Sequence, residues 1–165
     1  MAPGIKKKKQ LIAAASLARA QAVAPYSNFP VGAALLTARG QIITGANVES
    51  ASYGLTCCAE RIALFKALTE GEREFVAIAV VARCLGGPMP CGACRQLLAE
   101  YAPRLLIWVA DSNHPARVRT FKMPALLPQA FRGSRLPAAT PPKPPLRLTA
   151  TRMPHKSPRR LLHEV

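Results

Sequence analysis

Three cysteines and one glutamate have the types and the spacing of a metal site that activates water. Cys91 and Cys94 form a Cys-x-x-Cys pair directly after Pro90, and Cys58 precedes Glu60 by two residues. Zinc in proteins is tetrahedral, so three thiolate ligands leave one position open for water, as in catalytic sites. A carboxylate beside one ligand reaches that water without binding the metal. The pattern therefore predicts a zinc centre that activates water.

Two other uses of these cysteines explain less of the pattern. A structural zinc site needs a fourth ligand, yet Cys57 is adjacent to Cys58 and points elsewhere, and Cys84 fits the end of a strand. A redox Cys-x-x-Cys pair would leave Cys58 and Glu60 without a role. The five cysteines are an odd number and follow no secretory signal, which argues against a disulfide framework.

Length and hydropathy point to one ordinary domain. The chain has 165 residues, half of them hydrophobic, and no apolar run reaches the roughly 18 residues that a membrane span needs. The N-terminus lacks a charged region, an apolar core and a cleavage site in that order. We therefore expect a soluble, cytoplasmic protein.

The net charge of +15 is concentrated at the two ends of the chain. Residues 1–9 hold four lysines and no acid, and residues 132–165 hold eight basic residues and one acid, which leaves a net +4 in 10–131. Seven of the 16 prolines also lie in 132–165. This composition predicts a disordered tail. The tail has no aromatic residue for stacking on bases, although contact with nucleic acid through it stays open.

The helices and strands that must position the cysteines are predicted from residue composition and from residues, such as proline, that end a helix or strand. Residues 10–24 have helix composition, ended by Pro25, and Val31–Thr37 with Gln41–Val48 indicates a hairpin. Both cysteine motifs open predicted helices, where free N–H groups stabilise thiolates. The remaining elements are a helix from an N-cap at Thr56 to about Glu70, strands over Phe75–Ala82, Leu105–Ala110 and Arg117–Lys122, a helix from Cys91 or Gly92 to Tyr101, and a short helix from Pro124 through Leu127.

Five motifs, in order, resemble the small, three-cysteine cytidine deaminases. They are Tyr26–Leu36, Gly45–Thr56, Cys58–Arg61, Pro90–Gln96 and Leu126–Phe131. The resemblance covers about residues 10–131. It divides the chain into a basic N-terminal arm (1–9), a cytidine deaminase-like catalytic domain (10–131) and a Pro/Arg-rich tail (132–165).

The resemblance implies a fold, an assembly and a reaction. The fold is an α/β three-layer α/β/α sandwich with a mixed sheet of about five strands, and the assembly is a homotetramer. One Zn²⁺ per chain would be bound by Cys58, Cys91 and Cys94. The reaction is hydrolytic deamination of free cytidine and deoxycytidine in pyrimidine salvage. Zinc-bound hydroxide would be the nucleophile and Glu60 the proton shuttle.

The resemblance also assigns the residues around the substrate. Phe29 would pack on the pyrimidine ring, Asn47 and Glu49 would bind the ribose hydroxyls, and Ala59 would line the site. Neighbouring subunits would supply Ala51, Tyr53 and Phe131, and Arg61 would offset the charge of the thiolates, with Arg95 as a second candidate. Each residue also has an ordinary structural interpretation: Phe29 and Phe131 as core, Asn47 as a strand end, Glu49 as a solvated acid, and Tyr53 as a packing aromatic.

Three other functions fit part of the pattern. A deaminase acting on RNA or DNA shares the zinc chemistry but needs an open groove for the flanking nucleotides. A deaminase of a nucleoside antibiotic such as blasticidin S also has three cysteines and the glutamate. A binding protein with structural zinc would contact nucleic acid through its basic ends and would release no ammonia from cytidine.

Overall fold

The structure, a computed structural model, describes residues 3–131, and the predicted tail lies outside the described residues. Five strands form one mixed sheet in the order β2-β1-β3-β4-β5. The β3–β4 pair is parallel and the other three pairs are antiparallel. The strands are β1 (Val31–Thr37), β2 (Ile42–Ala46), β3 (Phe75–Ala82), β4 (Leu106–Asp111) and β5 (Val118–Lys122).

Helices cover both faces of this sheet. They are α1 (Ile5–Arg19), α2 (Ala59–Thr69), α3 (Gly92–Tyr101) and the short α4 (Met123–Leu126). The buried Leu11, Ile12 and Ala15 of α1 pack on one face, in a cluster with Trp108. The other face packs against α2 and α3, through residues such as Leu64 and Leu98. The expected α/β three-layer sandwich with a mixed five-stranded sheet is confirmed.

The central position of β3 in the sheet explains why residues Phe75–Ala82 form an unbroken apolar run. Six of its eight residues are buried, since helices cover both faces and strands flank both edges. Such a strand needs no polar alternation. The edge strand β5 has no fully buried residue, and its polar side chains Arg119, Thr120 and Lys122 are exposed.

Two helices begin elsewhere than the sequence predicts. The first helix covers Ile5–Arg19 instead of 10–24, so the lysines assigned to a separate arm form its first turn. Lysine is a good helix former. The helix ends at Arg19, before the predicted end at residue 24. The Val23 N–H donates a hydrogen bond to Asn47 O (2.9 Å) and therefore not to a helical carbonyl.

The second helix begins at Ala59, with Cys58 and not Thr56 as the N-cap residue. The Thr56 hydroxyl accepts a hydrogen bond from the Ser50 N–H (3.1 Å), so it serves the preceding loop. A short 3-10 turn over Tyr53–Leu55, which the sequence did not predict, lies in this loop. In the part of the chain that the structure describes, no helix has the length and apolar character to cross a membrane.

Candidate metal and substrate site

The thiol groups of Cys58, Cys91 and Cys94 lie together. All three Sγ atoms are within 4.8 Å of one another, with 3.8 Å between Cys58 and Cys91 and 3.5 Å between Cys91 and Cys94. Tetrahedral zinc with Zn–S bonds of about 2.3 Å places its sulfur ligands roughly 3.8 Å apart. The cluster therefore fits one zinc ion. Within the described residues, neither Cys57 nor Cys84 belongs to it, so no fourth thiol closes the site.

The starts of two helices hold these cysteines in place. Cys58 is the N-cap residue of α2 and Cys91 is the N-cap residue of α3, and Cys94 is buried in the first turn of α3. Helix N-termini have unpaired N–H groups and a partial positive charge, both of which favour thiolates. The sequence correctly predicted that the cysteines lie at helix N-termini, although the predicted N-cap of α2, Thr56, comes two residues before the observed N-cap, Cys58.

The close approach of α2 to the sheet depends on Gly45 of β2. A Cβ atom at this position would lie 2.5 Å from both Ala59 O and Ala63 N, which are backbone atoms of α2. A larger residue would push the first turn of α2, and Cys58 with it, away from β2.

Arg61 lies beside the thiol cluster. Its Nη2 donates to Thr56 O (2.6 Å) and lies 3.8 Å from Cys58 Sγ. The nearby Cys94 thiol and this guanidinium lower the pKa of Cys58 to about 5, whereas hydrogen bonding to Cys58 raises the pKa of Cys94. Arg61 thus has the contacts expected of a group that offsets thiolate charge.

The second candidate for that task, Arg95, has a different set of partners. Its Nε donates to Pro90 O (2.7 Å) and its Nη1 to Leu126 O (3.4 Å). Arg95 therefore ties the loop before Cys91 to the C-terminal end of the described chain and has no hydrogen bond to a thiol among the described contacts.

Glu60 is buried beside the thiols, with 5% of its surface exposed. Burial, with a smaller contribution from the charge of Cys58, raises its pKa to about 7. A carboxyl group in this position exchanges a proton near neutral pH, which is what a general acid–base catalyst requires.

A cavity of about 410 Å³ brings most of the predicted site residues together. Two of the three cysteines, Cys58 and Cys91, line it together with the catalytic candidate Glu60. The residues that the sequence had assigned to substrate and that also line it are Phe29, Asn47, Glu49 and Ala59. Sequence reasoning missed Val80, Pro88 and Met89 in this lining. The proximity of Pro88 and Met89 to Cys91 in the chain was the available signal. Val80 is one of many similar residues in an apolar strand and gave none.

Hydrogen bonds fix the Phe29 loop to Asn47. Asn47 Oδ1 accepts from the Val31 N–H (2.8 Å) and Asn47 Nδ2 donates to Phe29 O (3.1 Å). The amide therefore joins the end of β2 to the residues that precede β1. This structural role was not apparent in the sequence, and it leaves one N–H of the amide free for a ligand.

Glu49 is held by the turn at Tyr26 and Ser27. Its carboxylate accepts from both backbone N–H groups, at 3.0 and 3.1 Å, and from the Ser27 hydroxyl. These bonds, led by that of the Ser27 hydroxyl, hold the pKa of Glu49 below its usual range. The group is thus ionised and oriented at the edge of the cavity.

The three residues expected from neighbouring subunits lie outside this cavity. Ala51 is exposed, Tyr53 is 80% exposed and Phe131 is 63% exposed. Tyr53 lines an adjoining cavity with Ser27 and Glu49. The Gln96 side chain fixes the Phe131 backbone by donating to Phe131 O (2.7 Å) and accepting from Phe131 N–H (3.2 Å).

Comparison with known proteins agrees with this site. Residues 5–110 match the family described as the cytidine and deoxycytidylate deaminase zinc-binding region. A cytidine deaminase of Halalkalibacterium halodurans is 50% identical over 129 residues, covering 75% of this chain and 93% of that protein. A cytidine deaminase of Sporosarcina psychrophila is 47% identical over 123 residues, covering 74% of this chain and 90% of that protein.

A solved structure gives the same result for the fold. The crystal structure of a cytidine deaminase from Burkholderia pseudomallei superposes with a TM-score of 0.71 at 52% sequence identity, covering 74% of this chain and 97% of that one. Similarity at this level, extending over nearly the whole length of these proteins, means that the chain belongs to the cytidine deaminase family of zinc-dependent enzymes.

Proposed function

We propose that this enzyme deaminates free cytidine and deoxycytidine to uridine and deoxyuridine, as a step of pyrimidine salvage. One observation carries the proposal: the buried Glu60 and the thiol cluster share a cavity with Phe29, Asn47 and Glu49. A cavity of about 410 Å³ is within the range that accommodates small ligands.

The chain's own residues provide the proton transfers. Zinc, when held by Cys58, Cys91 and Cys94, supplies Lewis acidity that makes water a better nucleophile. Glu60 takes one proton from that water and delivers it to ring N3. It then takes the remaining proton from the hydroxyl group added at C4 and delivers it to the departing amine, which leaves as ammonia. A carboxyl group whose pKa is about 7 both accepts and donates protons at neutral pH.

Asn47 and Glu49 favour a free nucleoside as the substrate. Both side chains are held by hydrogen bonds before a ligand binds, so little conformational freedom is lost on binding. In the proposed pose they bind the ribose hydroxyls, where a polynucleotide strand would have to continue. Phe29, which is 39% exposed, offers its ring to the pyrimidine.

A homotetramer would complete the site. Tyr53 and Phe131 are large aromatic residues left exposed near or beyond the cavity, and a neighbouring chain would bury them. We propose that Ala51 and Tyr53 of one neighbour and Phe131 of another line each cavity. We also propose that the enzyme acts in the cytoplasm.

The test is ammonia release by the zinc-loaded protein from cytidine, from single-stranded RNA and DNA, and from blasticidin S. Cytidine should be turned over and the other substrates should not. Glu60→Gln should retain zinc and lose at least about 10²-fold in kcat, the lower range for general acid–base catalysis. Glu100→Gln, an exposed residue of α3, is the matched control and should keep full activity.

Two outcomes would contradict the proposal. Turnover of a polynucleotide with none of cytidine would assign the site to base editing. Full activity of zinc-replete Glu60→Gln would remove Glu60 from the reaction.

A further inference from the structure

A second cavity, separate from the catalytic one, lies beyond the carboxyl ends of the parallel strands β3 and β4. Its volume is about 400 Å³, and its lining includes Leu85, Gly86, Asp111, His114, Arg117 and Arg119. We call it the basic cavity. The crevice at this end of parallel strands is where open α/β sheets commonly bind ligands.

One wall of the basic cavity is fixed by close backbone packing. Gly87 lies against the end of β4, where a Cβ atom would be 2.6 Å from Ala110 N. Its N–H donates to Cys84 O (2.8 Å), which closes the loop after β3. The wall formed by Leu85 and Gly86 is therefore held to the sheet.

The charge of the basic cavity is positive. The one acid among its described lining residues, Asp111, accepts hydrogen bonds from the Asn113 N–H (3.0 Å) and from His114 Nδ1 (3.4 Å). These partners, led by Asn113, lower the pKa of Asp111, which is thus ionised and already engaged.

Among the described residues, the two arginines have no acidic partner. Neither Arg117 nor Arg119 forms a salt bridge in residues 3–131, where the ion pairs are Arg39–Glu72 and His114–Asp111. Arg119 is oriented by its neighbours, since its guanidinium lies 5.0 Å from the Phe121 ring centre and Nη1 approaches Gly86 O at 3.5 Å. Arg117 and Arg119, both exposed, therefore line one open cavity, and neither is paired with an acid in residues 3–131.

We propose that the basic cavity binds a phosphate group, with Arg117 and Arg119 as its principal contacts. Guanidinium groups form paired, charge-assisted hydrogen bonds with phosphate oxygens. Two of them offer more donors than the two oxygens of a carboxylate can accept, whereas a phosphate monoester has three free oxygens and inorganic phosphate has four. The ligand is either inorganic phosphate or a sugar phosphate, because both present at least three such oxygens.

The basic cavity and the catalytic cavity share one loop. Leu85 and Gly86 line the former, and Pro88 and Met89 of the same loop line the latter, just before Cys91. A phosphate in the basic cavity therefore contacts the segment that leads into the cysteine pair.

Isothermal titration calorimetry of the zinc-loaded full chain, at constant ionic strength, tests the proposal. Inorganic phosphate and ribose 5-phosphate are the two probes. Arg117→Gln/Arg119→Gln should weaken binding at least about tenfold, since both charge-assisted contacts are lost. Lys66→Gln/Arg104→Gln removes the same two charges from exposed positions elsewhere and should bind like the wild type.

Comparison of the two double variants distinguishes specific phosphate binding in the basic cavity from nonspecific electrostatic attraction to the protein. Tighter binding of ribose 5-phosphate would identify a sugar phosphate as the ligand, and equal binding of the two probes would identify the free ion. Either result supports the site if the double substitution of Arg117 and Arg119 weakens that binding. Equal losses in both double variants, or no binding by the wild type at millimolar concentrations, would overturn the proposal.

Discussion

The Asn47 side chain has a structural role in addition to its proposed contact with the ribose. Its amide joins the Phe29 and Val31 backbones, so it shapes the loop that carries the proposed ring-packing residue. Glu49 behaves similarly, since the turn at Tyr26 and Ser27 orients its carboxylate. The proposed ribose contacts therefore depend on backbone geometry that the side chains themselves maintain.

Asn47→Ala should raise KM for cytidine at least about tenfold. Two backbone groups lose their partners, and leaving each unsatisfied costs about 1–3 kcal/mol. Steady-state kinetics measure KM, and chemical denaturation measures the accompanying loss of stability. Asn113→Ala, at an exposed turn position, is the control. An unchanged KM with an unchanged stability would show that the Asn47 bonds do not order the loop.

At the scale of elements, the contact between β2 and α2 sets the position of Cys58, the first of the proposed zinc ligands. Gly45 permits that contact, and the lack of a Cβ atom is the feature that matters. The two helices α2 and α3 then bring their N-terminal cysteines to one point. A residue that does not itself line the catalytic cavity, Gly45, thus controls the geometry of the thiol cluster.

Gly45→Ala should destabilise the protein by about 1–3 kcal/mol, the usual cost of overpacking. It should also weaken zinc binding, because α2 must shift. Gly92→Ala is the control, since a Cβ atom there meets nothing within 4 Å and alanine favours helix. Thermal unfolding and competition with a zinc chelator measure the two effects. A Gly45→Ala protein with wild-type zinc affinity would contradict this account of the α2 position.

The pairing of Gln96 with Phe131 connects α3 to the end of the described chain. Gln96→Ala removes two hydrogen bonds, each worth about 0.5–1.5 kcal/mol. If Phe131 lines a neighbouring cavity, KM for cytidine should rise about three- to tenfold while kcat changes little. Gln41→Ala, at an exposed position before β2, is the control. A proportional loss of kcat without any change in KM would argue against a positioning role.

At the scale of the whole molecule, two apolar clusters lie on opposite faces of one sheet, and the metal site joins helices on one of those faces. The cysteines come from segments more than 30 residues apart in sequence, as Cys58 and Cys91 show. Zinc bound by three such thiols connects α2 and α3 and should therefore stabilise the native state.

Removal of zinc by a chelator should lower the thermal unfolding midpoint by about 10 °C, which corresponds to roughly 3 kcal/mol for a chain of this size. Restoring zinc should reverse the loss. Cys91→Ala should bind little zinc by atomic absorption and should show no response to the chelator. A Cys91→Ala protein with one zinc ion per chain would exclude Cys91 as a ligand.

The sequence by itself determined the local elements and the chemistry-bearing motifs. The β3 boundaries were predicted correctly because an uninterrupted apolar run fixes a buried strand at both ends. The Cys58–Glu60 and Cys91–Cys94 pairs were recognisable because ligand spacing within one helical turn is a local property. The α/β class was implied by the resemblance to the cytidine deaminases, and the order of the predicted strands and helices is compatible with it.

Only the tertiary structure decided which distant groups share a space. The start of α2 moved from Thr56 to Cys58 because the Thr56 hydroxyl is engaged by Ser50, a contact made by the folding of the loop. The bonds of Asn47 and Arg95, and the position of Arg117 and Arg119 beside the loop of Leu85 and Gly86, depend on packing between separate elements. Such contacts are set by the sum of many weak interactions across the sheet, so no short stretch of sequence encodes them.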